Sequence, residues 1–132
     1  MKNKFNCILL IDDELSTNYI HKRIISKLDL CLEIIIKTNA QDALNYLLEE
    51  ENNIPDLIFL DINMPGMDGW EFLEEYKLLA AEKRATQTLL MLSTSINPDD
   101  RERAMRNDNV KDFMNKPLTE ESLLFIAETY LK

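Results

Sequence analysis

An aspartate, Asp61, closes the short apolar block Leu57, Ile58, Phe59, Leu60 and is followed at once by the turn-forming run INMPGMDG. A carboxylate at the tip of a buried strand is costly unless something uses its charge. Other polar groups stand in comparable places: Asp12 and Asp13 after the apolar run 7–11, Ser93 and Thr94 after 89–92, and Lys116 shortly after 110–114. If these runs are strands of one parallel sheet, the groups meet along its carboxyl edge. Three carboxylates drawn together repel one another, and Lys116 supplies only one compensating charge. The remaining negative charge, in an oxygen-rich set without nearby His or Cys, suits a hard divalent ion, Mg²⁺ first and Mn²⁺ second. Ca²⁺ fits less well because no looped array of ligands follows. A metal beside a carboxylate, a hydroxyl and an ammonium is a setting for phosphoryl transfer, with Asp61 as a nucleophile that forms an acyl phosphate.

The elements that must position these residues follow from the pattern. Short apolar runs at 7–11, 32–36, 57–60, 89–92 and 110–114 alternate with segments of helical period, which predicts an α/β domain with a five-stranded, doubly wound parallel sheet and helices on both faces. The first, third and fourth runs are apolar throughout, whereas Glu33 interrupts the second and Lys111 with Asp112 the fifth. Those two are expected at the sheet edges. The corresponding order is 2-1-3-4-5, in which ligands bind beyond the carboxyl ends of the strands. Helical stripes are predicted at Ala40, Ala43, Leu44, Leu47 and Leu48, with Thr38 and Gln41 as a capping box. Further stripes are Phe72, Leu73, Tyr76, Leu79 and Ala80, then Leu123, Leu124, Ala127, Tyr130 and Leu131 behind Thr119. The helix opening at Asn97 and Pro98 has only Ala104 and Met105 as anchors, so it should be weakly held.

With 132 residues the chain is expected to form a single domain, 1–132, without an output domain. Its 15 basic and 24 acidic side chains leave a charge of −9, which argues against nucleic acid or an anionic membrane as partner. The N-terminal apolar run is too short for a signal peptide or a membrane span, and a cytoplasmic location is expected. Cys7 and Cys31 read as buried reduced thiols, since neither belongs to a metal-binding cluster. His21, followed by Lys22 and Arg23, reads as a solvated helix residue and not a phosphodonor. Asp68 reads as a turn or cap residue and Trp70 as packing.

Four segments then carry a resemblance. IDDE at 11–14, LDINMPGMDG at 60–69, LSTS at 92–95 and NKPL at 115–118 resemble the motifs of the receiver domain of bacterial two-component response regulators, across essentially the whole chain. The resemblance implies a flavodoxin-like fold of the stand-alone, chemotaxis-regulator-like type. It makes Asp61 the phospho-acceptor, Asp13 a direct Mg²⁺ ligand, Asp12 a partner acting through metal-bound water, and the Asn63 main-chain carbonyl a further ligand. Ser93 becomes the switch hydroxyl, with Thr94 and Ser95 as alternatives. Lys116 becomes the ammonium that pairs with the phosphoryl group, the bond before Pro117 cis, and Phe113 the aromatic that changes rotamer. Asn63 and Ser95 occupy positions that tune attack by water. The implied partners are a sensor histidine kinase or a histidine phosphotransfer protein and a downstream protein target, with a monomer or a phosphorylation-dependent dimer as the assembly. Thr94 stands where a small alanine is frequent, and RNDNVKDF lacks the Gly-Ala pair that often precedes the last strand. Asn107 or Asn109 is expected to take that turn at positive φ.

Two other functions compete. A phosphohydrolase of the haloacid dehalogenase type also places a nucleophilic Asp after a buried strand, but its second Asp, two residues on, is here Asn63, which cannot act as general acid. A passive interaction module of the same fold is disfavoured by the complete acidic set with Lys116. The expectation is a signalling protein and not an enzyme, beyond its own phosphorylation and dephosphorylation.

Overall fold

The computed structural model describes residues 3–85, 87–94 and 97–131. Among them five strands and six helices follow one another, with two helices in succession after the third strand: β1 Phe5–Ile11, α1 Leu15–Lys27, β2 Cys31–Lys37, α2 Ala40–Leu48, β3 Leu57–Asp61, α3 Gly69–Tyr76, α4 Ala81–Ala85, β4 Thr88–Ser93, α5 Pro98–Met105, β5 Val110–Asn115 and α6 Glu120–Tyr130. All strand pairs are parallel and the order is β2-β1-β3-β4-β5. The apolar strands β1, β3 and β4 fill the centre, and the two charge-bearing ones take the edges.

One apolar layer joins Leu9, Ile11, Ile58, Leu60, Leu89 and Met91 to α2, α3 and Ala104 of α5. The other joins Ile8, Leu10, Phe59, Leu90 and Leu92 to α1 and α6. Alternate residues of one strand therefore serve opposite faces, which requires the inner positions of the central strands, 7–11, 57–60 and 89–92, to be apolar. In α6, Leu123 and Ile126 are each 1% exposed, and burial of side chains of this size stabilises by about 2 kcal/mol apiece. Cys7 is buried and Cys31 only partly so, which corrects the expectation for the second thiol. Burial is the main cause that pushes both thiols up to about 11, so they stay protonated at neutral pH.

Several helix details differ from the pattern. Asn39, not Thr38, caps α2, its side chain accepting from the Asp42 N–H at 2.8 Å. Leu48 and Leu124 are 56% and 51% exposed. Each belongs to an apolar doublet of which helical geometry buries one member. The stripe after β3 splits, because α3 ends at Tyr76 and Ala80 is exposed before the short α4. In α5 only Ala104 is buried, and Met105 is 45% exposed. Neither Asn107 nor Asn109 has positive φ; among the described non-glycine residues Asp29 alone does. Asn107 shapes the turn differently, its side chain accepting from the Asn109 N–H and its carbonyl from the Val110 N–H. A register shift between Leu89 and Leu90 then lets Lys111 bulge outward, so that Val110 and Phe113 both face the core.

Candidate functional site

The site forms where β1, β3, β4 and β5 end together. Asp61 is the last residue of β3, and Asp12 follows β1 directly. Each is 3% exposed. One carboxylate oxygen from each of Asp12, Asp13 and Asp61 lies within 4.8 Å of the others, with Asp13 half-buried. Asp12 is held from both sides. Its Oδ1 accepts from the Glu14 N–H at 2.9 Å, and its carbonyl accepts from Asn18 Nδ2 at 2.8 Å. The α1 N-cap is Glu14, which makes no side-chain cap, so Asp12 and Asp13 precede the helix without capping it.

The turn after β3 brings its chain back across the strand end. Gly66 adopts φ 75°, and Gly69 packs so closely that a Cβ there would lie 2.8 Å from the Asp61 carbonyl oxygen. Only glycine permits that approach. Asp68 then caps α3 in a reciprocal box with Glu71, and the Asn63 N–H turns back to Asp61 Oδ1 at 3.4 Å.

Lys116 enters from the far edge. Its main-chain N–H donates to the Ser93 carbonyl at 2.8 Å, which ties the end of β5 to the end of β4. Its Nζ lies 2.9 Å from Asp12 Oδ2, 3.1 Å from Asp61 Oδ1 and 3.6 Å from Glu14 Oε1. The following peptide, Lys116–Pro117, is cis. Burial foremost, then the Asp12 charge, pushes the Asp61 carboxyl up to about 6 against the pull of Lys116. Burial draws the lysine the other way, but its bonds to Asp12 and Asp61 outweigh it and hold the ammonium above its ordinary value.

Residues 8–128 match the response regulator receiver domain. The chain belongs to that receiver family. The probable methanogenesis regulatory protein FilR2 of Methanothrix harundinacea is 30% identical over 119 residues, 88% of this receiver and 75% of that protein. The sensor histidine kinase GacS of Pseudomonas protegens is 26% identical across 95% of this receiver, which spans 13% of the kinase's length. Among solved structures, a two component response regulator from Cytophaga hutchinsonii superposes with TM-score 0.89 at 32% identity, covering 97% of this receiver and 98% of that chain. The chemotaxis protein CheY4 of Vibrio cholerae, at 22% identity and TM-score 0.77 over 95% and 98% of the two chains, shares the fold.

Within the receiver, Asp12, Asp13, Asp61 and Lys116 thus converge on one pocket. Ser93 sits beside it, 3% exposed, one residue beyond the Leu92 that pairs with Asp61. Thr94 is exposed, and Ser95 lies outside the described residues. Phe113 is 1% exposed and points into the core layer under α5. The sequence assigned no place at the site to three neighbours, Glu14, Asn18 and His21. His21 is not solvated but 1% exposed, and its Nε2 accepts from the Leu118 N–H at 2.9 Å. Asn18, His21 and Ile25 form the buried face of α1. Their helical spacing from Ile25 was the available signal.

Proposed function

We propose that this receiver takes a phosphoryl group from a phosphohistidine onto Asp61 and that the resulting acyl phosphate changes which partner it binds. The observation that carries the reading is the Lys116 ammonium bridging Asp12 and Asp61 at 2.9 and 3.1 Å beside a third carboxylate. Three acids against one buried ammonium fit a hard divalent cation, Mg²⁺ or Mn²⁺, held by Asp12, Asp13 and Asp61 with the Asn63 main-chain carbonyl. When bound, such an ion neutralises phosphoryl oxygens.

The protein's own groups account for the rest. An Asp61 carboxylate oxygen attacks phosphorus, the P–N bond breaks, and the donor imidazole leaves with the bond's electron pair and takes a proton from solvent. Lys116 shifts from carboxylate to phosphoryl oxygen as Asp61 loses its charge, and the Ser93 hydroxyl donates to another phosphoryl oxygen. Water later attacks phosphorus, releasing inorganic phosphate and restoring the Asp61 carboxylate. Asn63 flanks that approach, and Ser95 shares this role by resemblance. The new bonds to Ser93 and Lys116 pull on the ends of β4 and β5, between which α5 hangs, and Phe113 lies beneath it. Taking a two-state equilibrium from about 1:99 to 99:1 needs roughly 5.5 kcal/mol, so phosphorylation biases the arrangement and a downstream protein completes the shift.

Incubation with Mg²⁺ and acetyl phosphate, read by intact mass, tests this. One phosphoryl increment on the parent protein, absent in Asp61→Asn, is expected. Equal labelling of Asp61→Asn would refute it, and steady turnover of assorted phosphate esters would favour a hydrolase.

A further inference from the structure

The β2 edge is unlike an ordinary protected strand. Among the described residues nothing pairs with its outer side. It carries three consecutive isoleucines, Ile34 to Ile36, each only partly buried, after Leu32 at 71% exposure. It has neither proline nor a register shift against β1, two of the devices that blunt an exposed edge. The Asp12 N–H donates to the Lys37 carbonyl at 3.2 Å, so that carbonyl faces β1. Alternation then turns the main-chain N–H and C=O groups of Ile34 and Ile36 outward.

The charges on this edge are placed in a self-complementary way. Glu33 and Lys37 flank Ile35 at equal distance on the same face of the sheet. The Glu33 Oε1 accepts from Asn53 Nδ2 at 2.5 Å, and the Lys37 Nζ stands 5.5 Å from the Tyr46 ring centroid. A two-fold axis through Ile35, normal to the sheet, lays a second β2 antiparallel to the first. Ile34 then opposes Ile36 of the other copy as a hydrogen-bonded pair, and Glu33 opposes Lys37 twice. Centring the axis on Ile34 would instead set Glu33 against Ile35 and Lys37 against Cys31, leaving each charge facing an apolar residue.

We propose that a second copy of this chain docks on the β2 edge in the Ile35-centred register, joining two five-stranded sheets into one. The occupant is chosen by charge complementarity: the edge reads +/− in one direction and meets its own reverse. Seven residues of strand bury less than the roughly 800 Å² per partner of a standard interface. Each copy also carries −9, so the dimer is weak and concentration-dependent. It does not require Asp61 to be phosphorylated.

Sedimentation velocity at about 0.15 M salt, where screening confines charge effects to about 8 Å, reads the association. Glu33→Lys alone and Lys37→Glu alone each put like charges opposite in both pairs, and each should weaken dimerisation about tenfold. The double variant Glu33→Lys/Lys37→Glu should regain it. So should an equimolar mixture of the two single variants, as a heterodimer, which also proves that both singles are folded. In the parent, amide exchange at Ile34 and Ile36 should slow as concentration rises. A parent that stays monomeric, single variants that dimerise like the parent, or a mixture that fails to associate would each overturn the proposal.

Discussion

His21 is a neutral side chain held where protonation would break a bond. Its Nε2 must carry a lone pair to accept from the Leu118 N–H, and Leu118 opens the segment that follows Lys116 and Pro117. Burial lowers the imidazole to about 4, with Asp12 opposing and Lys116 reinforcing. In the unfolded chain the same group titrates near 6.5, so below that pH the unfolded state takes up a proton that the folded state refuses. Stability is therefore lost as pH falls from about 6.5 to 4, by about 3 kcal/mol for this group alone. His21→Gln keeps an acceptor for Leu118 and does not titrate. Urea unfolding of both proteins from pH 7 to 4.5 should show the variant gaining on the parent as acid is added. Parallel curves would mean that His21 protonates without loss. Asn18, one turn earlier on the same buried face, holds the Asp12 carbonyl, so α1 positions both the acid and the lysine-bearing segment.

At the scale of elements, α5 is held more by arginines than by apolar contact. Arg101 Nη1 donates to the Phe113 carbonyl at 2.9 Å and its Nη2 stands 3.8 Å from Asp112, while Arg103 lies 4.1 Å from the Trp70 ring centroid. Arg101 is half-exposed, so its loss should cost only about 1 kcal/mol globally. Locally the effect is larger. Arg101→Met should speed amide exchange across residues 98–106 severalfold, with little change over β1 and β3, as mass spectrometry of exchanged peptides would show; uniform acceleration would mean global destabilisation instead. These polar anchors were invisible in a pattern that weighs only apolar periodicity. The sheet was legible because a strand covered on both faces must be apolar throughout, and Glu33, Lys111 and Asp112 marked the exceptions. Apolar doublets such as Leu47–Leu48 and Leu123–Leu124 were not, since spacing alone does not say which member turns inward. Thr38 and Asn39 are both cap formers, and only the chain's path chose between them. The pocket's acids were legible because a carboxylate ending an apolar run has few uses. Glu14 and His21 were hidden by charged neighbours that made their helix start look solvated.

For the whole molecule, folding itself assembles a charge problem. Asp12 and Asp13 come from one end of the chain, Asp61 from its middle and Lys116 from near the other end; in the unfolded chain they scarcely interact. Folding gathers them with net negative charge at the carboxyl edge of the sheet, in a molecule already at −9. A cation that binds only the gathered set must raise stability by mass action, about 2.7 kcal/mol when its concentration is 100 times the dissociation constant. Thermal melts should therefore climb with added Mg²⁺ beyond what NaCl of equal ionic strength produces, and Asp13→Asn should lose most of that increment. Asp61→Asn makes the converse point. Without divalent ions it removes one of three crowded carboxylates and leaves Lys116 paired with Asp12, so it should melt higher than the parent, by about 1 kcal/mol in stability. With Mg²⁺ the order should narrow or reverse, because the parent gains more from the ion. A metal-free Asp61→Asn less stable than the parent would mean that Lys116 already balances the pocket, and the need for a cation would fall with it.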